Sequence, residues 1–163
     1  MLTTRDAEIQ DISLIQELTY KIWPETYGTI LSGAQIAYML DMMYNADTLK
    51  KQMNDGQRFI LCYDDGQPVG FAAFGEKSEG IWHLHKIYIL PGQQGKGIGR
   101  FMISRITEEI KPAGAHALQL NVNRYNTAKH FYEKTGFTVL REEDIDIGSG
   151  YFMNDYIMEL PLG

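Results

Sequence analysis

The sequence predicts an α+β domain over residues 1–163, with a twisted and mostly antiparallel sheet flanked by helices. Three observations support this prediction. Helical periodicity dominates the first third of the chain, strand-like runs begin at residue 57, and a glycine-rich segment later joins a strand to a helix. A chain of 163 residues usually folds around one hydrophobic core, so we expect a single domain.

Three helices are predicted before the first long strand. Residues 9–23 have apolar side chains at helical spacing, with Asp11 as the N-cap, and Pro24 is expected to break this helix. A second helix begins after Ser32, where Ser-Gly-Ala-Gln has the spacing of a capping box. A third, shorter helix is predicted for residues 47–54.

From residue 57 the pattern is typical of strands. Phe59 to Tyr63 and Pro68 to Phe74 form a predicted hairpin, because an Asp-Gly turn separates them. Ile81 to Leu90 is rich in residues that favour strands and ends at a Pro-Gly pair. Together these runs predict a three-stranded antiparallel meander.

The remaining elements follow a glycine-rich loop. Residues 98–110 have an apolar stripe at helical spacing, and residues 116–122 form a predicted strand. A helix over residues 126–135 ends at a glycine. A hairpin of residues 137–147 and 151–160, around Gly-Ser-Gly, completes the chain.

Composition excludes several classes of function. The formal net charge of −6 has the wrong sign for binding a phosphate backbone, so no nucleic-acid partner is expected. Apolar runs are too short to cross a membrane, and Asp6 interrupts any leader peptide at the start. The single cysteine, Cys62, cannot form an internal disulfide. We therefore expect a cytoplasmic protein without a membrane partner.

The glycine-rich loop predicts an anion site. A turn of this kind before a helix exposes unpaired backbone N–H groups at the positive end of the helix dipole, which suits a phosphate or pyrophosphate. Two common phosphate motifs are excluded. Lys96 is followed by Gly97 where a Walker A loop needs Ser or Thr, and the third small residue of a dinucleotide fingerprint would fall on Arg100 or Met102.

Two segments together resemble a known family. Gln94-Gly95-Lys96-Gly97-Ile98-Gly99 matches the Q/R-x-x-G-x-G/A signature of the GNAT superfamily of acyl-CoA-dependent N-acetyltransferases. Residues 126–137, Asn-Thr-Ala-Lys-His-Phe-Tyr-Glu-Lys-Thr-Gly-Phe, resemble the N-x-x-A-x-x-F-Y-x-K-x-G-F segment of the same family, with one residue instead of two between Asn126 and Ala128. The resemblance implies a mixed sheet of six to seven strands that splays between the fourth and fifth strands, at a bulge in the strand that contains residues 86–89.

A narrower resemblance concerns the acceptor. Residues 120–123, 142–147 and 151–156 are similar to the bacterial polyamine acetyltransferase branch of that superfamily. The resemblance implies acetyl-CoA as cosubstrate, a small amine as second partner, no metal, and a homodimer. Its CoA contacts carry over to the strand before the loop, the loop itself and the last helix: Ile87, Tyr88, Ile89, Gln94, Gly95, Lys96, Gly97, Ile98, Gly99, Arg100, Asn121, Asn126 and Lys129.

Tyr132 is the candidate general acid. Acetyl transfer from a thioester releases a thiolate, and a phenol of pKa ~10 remains protonated at neutral pH and can donate to it. The family segment places Tyr132 at this position. Without the resemblance, an aromatic side chain packed with Phe131 and Phe137 is the more common interpretation of such a residue.

The base that accepts the amine proton is predicted on the central strand. That strand carries His83 and His85, which alternation places on the same face as Ile87, and either histidine could act as a base or as a water relay. The alternative is a pair of half-buried structural histidines. A metal site is not predicted, because a third ligand is missing.

The acceptor pocket is predicted from Trp23, Glu25 and Tyr27, on the loop between the first two helices, together with the final hairpin. These side chains could hold an amine by cation–π and charge contacts, and the acidic run of residues 142–146 could attract a polycation or form a solvated edge. The leading hypothesis is a ternary-complex N-acetyltransferase acting on a primary amine, with a polyamine favoured. The alternatives are a protein N-terminus or lysine as acceptor, and a non-catalytic acyl-CoA-binding module.

Overall fold

A computed structural model describes residues 1–163 and contains one seven-stranded sheet with five α-helices. The strands are β1 (Leu2–Asp6), β2 (Arg58–Asp64), β3 (Gln67–Ser78), β4 (Ile81–Ile89), β5 (Ala117–Asn123), β6 (Thr138–Gly148) and β7 (Tyr151–Pro161). The helices are α1 (Ile12–Tyr27), α2 (Gly33–Tyr44), α3 (Ala46–Asn54), α4 (Ile98–Ile110) and α5 (Ala128–Lys134). None of these helices has both the length and the apolar character needed to cross a bilayer.

The sheet is mixed and opens in its middle. Its order is β1-β2-β3-β4-β5-β7-β6, and every neighbouring pair is antiparallel except β4 and β5. The parallel pairing covers Ile81 to Leu84 against Ala117 to Leu120 and ends there, although both strands continue. The backbone of Lys86 to Ile89 remains paired with β3 on one side and faces a gap on the side of β5, as the predicted splay requires.

A β-bulge at His85 interrupts β4 just where the sheet opens. Ala73 of β3 lies opposite Lys86 and Phe74 lies opposite Leu84, so His85 has no partner residue. The extra residue reverses the alternation of side chains beyond it. Leu84 and Ile87 consequently pack against the same core, and the prediction that Ile87 shares a face with the two histidines was wrong.

Each face of the sheet has its own hydrophobic core. The helices α1 to α3 cover one face through a cluster that includes Ile15, Ile22 and Leu49, each no more than 1% exposed. The helix α4 covers the other face with Met102 and Ile106, both 0% exposed, and α5 joins this layer. The three-layer arrangement leaves the gap between β4 and β5 accessible from both faces.

Two predictions about the first segments need correction. Pro24 does not end α1, which continues to Tyr27 because Trp23 and Tyr27 are buried in the core and hold the last turn in place. This packing outweighs the cost of about 3 kcal/mol for a proline inside a helix. Asp11 precedes α1 but does not cap it, since its carboxylate instead accepts from the Glu8 amide and pairs with Arg5. The segment carrying Trp23, Glu25 and Tyr27 is thus helical and not a loop.

Candidate active site

A first cavity of about 540 Å³ lies where β4 and β5 diverge. Its walls are formed by the second half of β4, the glycine loop, the start of α4, β5 and α5. Most of the predicted site residues line it: Tyr27, His85, Ile87, Tyr88, Ile89, Gln94, Gly95, Gly97, Ile98, Gly99, Arg100, Asn121, Asn126 and Tyr132. The fold therefore brings together residues that are more than one hundred positions apart in sequence.

The glycine loop is built to approach a ligand with its backbone. Gly95 and Gly97 have φ of 83° and 76°, and a Cβ at either would have no atom within 4 Å, so the space beside them is open. Gly97 is the N-cap of the 13-residue helix α4, whose first amides have no acceptor within the helix. A Cβ on Gly99 would lie 3.0 Å from Phe131, so that glycine permits close packing of α4 on α5.

Tyr132 places its ring in the core of the α4 layer and its hydroxyl at the first cavity. The ring packs against Phe131 and Phe137 with centroid distances of 5.4 and 5.7 Å. Burial, and then the neighbouring Tyr27, raise the pKa of the Tyr132 phenol well above its ordinary value. The phenol therefore stays protonated at neutral pH, and its hydroxyl makes no hydrogen bond to another protein group. The buried ring matches the interpretation as a core aromatic, and the role as proton donor stays a prediction.

A second cavity of about 260 Å³ adjoins the first on the face covered by α1 to α3. The two share five wall residues, namely Tyr27, His85, Lys86, Tyr88 and Asn121. The hydroxyls of Tyr27 and Tyr88 lie 3.0 Å apart in a hydrogen bond. The phenols of Tyr27 and Tyr88, together with His85 at the bulge, would thus separate a molecule in the second cavity from one in the first.

The second cavity has an apolar middle with polar groups at its walls. Trp23, Met39, Met43, Phe152 and Met153 supply apolar surface. The indole of Trp23 packs 4.7 Å from the Tyr27 ring. Of the three residues predicted for the acceptor, Trp23 and Tyr27 therefore line this cavity. Glu25 is exposed on α1 and lines neither cavity.

The two histidines are close to each other but differ in access. Their ring centroids lie 4.7 Å apart, and only His85 lines the cavities, whereas His83 lines neither. Loss of hydration lowers the pKa of both to about 4, assisted by Lys77 at His83 and by His83 and Lys86 at His85. Both rings are neutral at pH 7 and can accept a proton. No group of three or more His, Cys, Asp or Glu side chains is arranged to hold a metal ion.

Lys86 and Asp155 are two charged residues that the sequence analysis missed. Lys86 donates to the Gln52 side chain at 3.0 Å and lies 5.4 Å from the Phe59 ring centre, and burial lowers its pKa to about 8. Asp155 is 2% exposed and accepts from Asn121 at 3.3 Å, and burial raises its pKa. Lys86 is the one Lys, Arg, Asp or Glu of β4, and Asp155 is one of two carboxylates in β7, so a charge within a largely apolar strand could have drawn attention to both residues.

Several predicted residues lie outside both cavities. Lys96 is exposed and donates to Gln93 at 3.0 Å, and Lys129 lies 4.7 Å from the centre of the Tyr156 ring. In the acidic run of residues 142–146, Arg124 pairs with two carboxylates and Arg141 pairs with a third. Asn126, in contrast to these residues, does line the first cavity. Its side-chain oxygen also accepts from the Ala128 amide at 2.9 Å and so caps the start of α5.

Comparisons with known proteins agree on one family. A model of the acetyltransferase (GNAT) domain matches residues 30–153. An uncharacterized N-acetyltransferase of Mycobacterium bovis is 30% identical over 150 residues, which cover 91% of this chain and 96% of that protein. An L-amino acid N-acyltransferase of Escherichia coli is 32% identical over 89 residues, so the match spans 52% of this chain and about half, 52%, of that relative.

Solved structures extend the agreement to the fold. The PaiA N-acetyltransferase of Thermoplasma acidophilum, solved in complex with coenzyme A, aligns over 99% of both chains with a TM-score of 0.83 and 24% identity. This likeness confirms the predicted fold, including the mixed sheet with its parallel β4–β5 pair. Since the family model covers more than half of the sequence, the chain belongs to the GNAT acetyltransferase family.

Proposed function

We propose that this member of the GNAT acetyltransferase family transfers an acetyl group from acetyl-CoA to the primary amine of a small molecule. One observation carries the proposal: the Tyr132 hydroxyl opens into a cavity whose walls also include the glycine loop and the splayed edge of β4. The open backbone beside Gly95 and Gly97 suits a pyrophosphate, and the unpaired backbone of β4 suits the amide groups of a pantetheine arm. The acceptor amine would enter from the second cavity.

In this mechanism the acceptor nitrogen attacks the thioester carbonyl directly in a ternary complex. A carbon–nitrogen bond forms, the carbon–sulfur bond breaks, and the departing sulfur takes the proton of the Tyr132 hydroxyl. Tyr132 is suited to this role because it stays protonated and has no competing protein partner. The phenolate is then reprotonated from water.

The amine must lose a proton before or during attack. An alkylamine of pKa ~10.4 is mostly protonated at pH 7, and its deprotonation costs about 4.6 kcal/mol. We assign a water-mediated relay to His85, which lines both cavities and is neutral at pH 7. His83 contacts the His85 ring and orients it, since its own ring has no access to either cavity.

The acceptor class is stated here as a small primary amine. A polyamine, which the resemblance favours, would bring several positive charges into a cavity whose walls carry one carboxylate, Asp155, and also one ammonium, Lys86. Three carboxylates of the acidic run on β6 are already paired by Arg124 and Arg141. Spermidine therefore belongs in the test beside acceptors with one amine.

The experiment is release of free thiol from acetyl-CoA by the purified protein, with spermidine and with simple monoamines, followed by mass analysis of the amine. We expect amine-dependent release with an acetylated product. Binding of acetyl-CoA without release for any amine or peptide would overturn the proposal and favour a binding module. Release with a peptide N-terminus alone would identify a protein acceptor. The homodimer and the cytoplasmic location stay predictions.

A further inference from the structure

The second cavity contains a partly buried cation, Lys86, and a buried anion, Asp155, and neither takes part in an ion pair within the protein. Lys86 and Asp155 both line this cavity, yet neither forms an ion pair with another residue. Burying an unpaired charge is costly, and in folded proteins such charges are usually matched by a partner. Two unmatched charges of opposite sign that face one cavity indicate a ligand with both signs.

The two charges occupy different parts of the cavity. Asp155 lies on β7, opposite Asn123 of β5, and its partner Asn121 lines both cavities. The Lys86 ammonium points the other way, away from the gap, because it contacts Gln52 of α3 and lies near the Phe59 ring of β2. Asp155 is therefore linked to the first cavity through Asn121, whereas the Lys86 ammonium lies toward α3, although Lys86 itself lines both cavities.

A third polar group supports a ligand with N–H donors. The side-chain oxygen of Gln57 is buried without a hydrogen-bond partner, and Gln57 lines the second cavity. A buried acceptor that is left unpaired costs free energy, which a bound donor would recover. The apolar middle of the cavity, with Met39, Met43 and Phe152, separates these polar walls and suits a hydrocarbon spacer.

We propose that the acceptor carries an anionic group in addition to its primary amine, with the amine held at Asp155 and the anionic group at Lys86. This inference rests on the proposed acetyltransferase function and names its substrate class, an amino acid whose amine and acid are separated by a short chain. Asp155 and Lys86 act here in binding. The cation at Lys86 disfavours a polyamine, whose second ammonium would meet a like charge.

The test compares acceptors of equal length in the thiol-release assay: δ-aminovalerate, pentylamine and cadaverine. We expect the highest kcat/KM for δ-aminovalerate and the lowest for cadaverine. A shorter series of γ-aminobutyrate, β-alanine and glycine measures the distance between the two charges. Equal values for δ-aminovalerate and pentylamine, or a preference for cadaverine, would overturn the inference while leaving the acetyltransferase proposal intact. Failure of every amine would instead contradict the acetyltransferase proposal.

A variant separates binding from chemistry. Lys86→Met keeps the apolar stem and removes the charge, and we expect the ratio of kcat/KM for δ-aminovalerate to that for pentylamine to fall about thirtyfold, as for loss of a buried charge pair. Lys50→Met, on the exposed side of α3 and outside both cavities, is the control and should leave the ratio unchanged. A fall in kcat that is equal for both acceptors would assign Lys86 to the chemistry and contradict its role in binding.

A binding measurement supports the kinetic one. Calorimetric titration of δ-aminovalerate into the protein with coenzyme A should show binding that Lys86→Met and Asp155→Asn each weaken. The Asn side chain has the same shape as Asp, so Asp155→Asn keeps the bond with Asn121 available. If either variant fails to fold, the comparison of acceptors on the unmodified protein still decides the inference. Unchanged affinity in two folded variants would refute it.

Discussion

The two cavities are constructed in different ways. The first is bounded largely by backbone, because it uses a glycine loop, the start of a helix and a strand edge that has lost its partner. The second is bounded by side chains from α1, α2, α3, β4, β5 and β7. A site made of backbone can bind the same cosubstrate throughout a family, whereas a site made of side chains can change its ligand by substitution.

One side chain at the first cavity, that of Tyr132, is the exception to this division, and its substitution should have the largest effect on activity. Tyr132 is a side chain at the backbone-built cavity, and Tyr132→Phe keeps its packing on Phe131 and Phe137 while removing the proton donor. We expect kcat to fall by about two to four orders of magnitude with acetyl-CoA affinity retained. Steady-state kinetics and titration of acetyl-CoA measure both quantities. Tyr125→Phe, at a position that is 68% exposed, is the control. A loss of less than threefold would refute the acid role.

Substitution of Gly97 tests whether the first cavity binds acetyl-CoA through the backbone of its glycine loop. Valine is strained at φ of 76°, by about 1 to 2 kcal/mol, so Gly97→Val should distort the loop and raise the KM for acetyl-CoA about tenfold. Gly114→Val, at φ of 94° after α4 and away from both cavities, carries similar strain and controls for stability. If both variants change the KM equally, the loop has no special role. The preference among amines should be the same in all three proteins.

Because the Lys86 side chain lines the second cavity, the preference between acceptors should depend on pH. The pKa of Lys86 is lowered to about 8, so its side chain is charged below this pH and neutral above it. The preference for δ-aminovalerate over pentylamine, as a ratio of kcat/KM, should therefore fall about fivefold between about pH 8 and pH 9. Both amines titrate near the same pH, so their own ionisation cancels in the ratio.

Other groups around Lys86 do not titrate in this range. Burial raises the pKa of Tyr44 and of Tyr88 well above the ordinary value, and the pKa of His85 is lowered to about 4. Burial raises the pKa of Asp155, across the cavity, so the same pH series on Asp155→Asn separates its contribution from that of Lys86. A ratio that stays constant from pH 7 to pH 9, or one that still falls in Lys86→Met, would contradict the assignment.

The smallest effect is expected at Lys96. This residue belongs to the family motif, but its ammonium is exposed and bonded to Gln93. If backbone groups bind the pyrophosphate, Lys96→Ala should raise the KM for acetyl-CoA by no more than about twofold, the usual value of an exposed charge. Arg100→Ala, which alters the cavity wall itself, should have the larger effect of the two. A larger effect of Lys96→Ala than of Arg100→Ala would contradict the minor role of the Lys96 side chain.

Sequence reasoning succeeded for features that depend on residues close together in the sequence. The capping oxygen of Ser32, which accepts from the Gln35 amide at 3.1 Å, and the Asp65-Gly66 turn follow from local patterns. The glycine loop was predicted for the same reason. The strand β1 was not detected from periodicity, because its five residues do not show a clear alternation and are held mainly by pairing with β2.

The features that sequence reasoning missed depend on contacts between distant segments. The helical turn after Pro24 is held by packing of Trp23 and Tyr27 against the sheet, which no local pattern encodes. The family resemblance implied a bulge in β4, but its exact place at His85 is visible only as a shift of register against β3. Lys86 and Asp155 come together in one cavity because β4 and β7 lie on either side of β5, an order that the sequence alone did not reveal.

The bulge at His85 makes β4 tolerant of a length change at one position only. In a regular strand, the loss of one residue exchanges the two faces beyond it. Deletion of His85 would instead leave Leu84 opposite Phe74 and Lys86 opposite Ala73, which is the pairing of a regular strand. Ile87 would still pack under α4 and Lys86 would still face α3, so this deletion removes the relay side chain but keeps both faces of the sheet. Deletion of Ile87, by contrast, would turn over the rest of the strand, so a change of length in β4 should disturb the two cores least at the bulge.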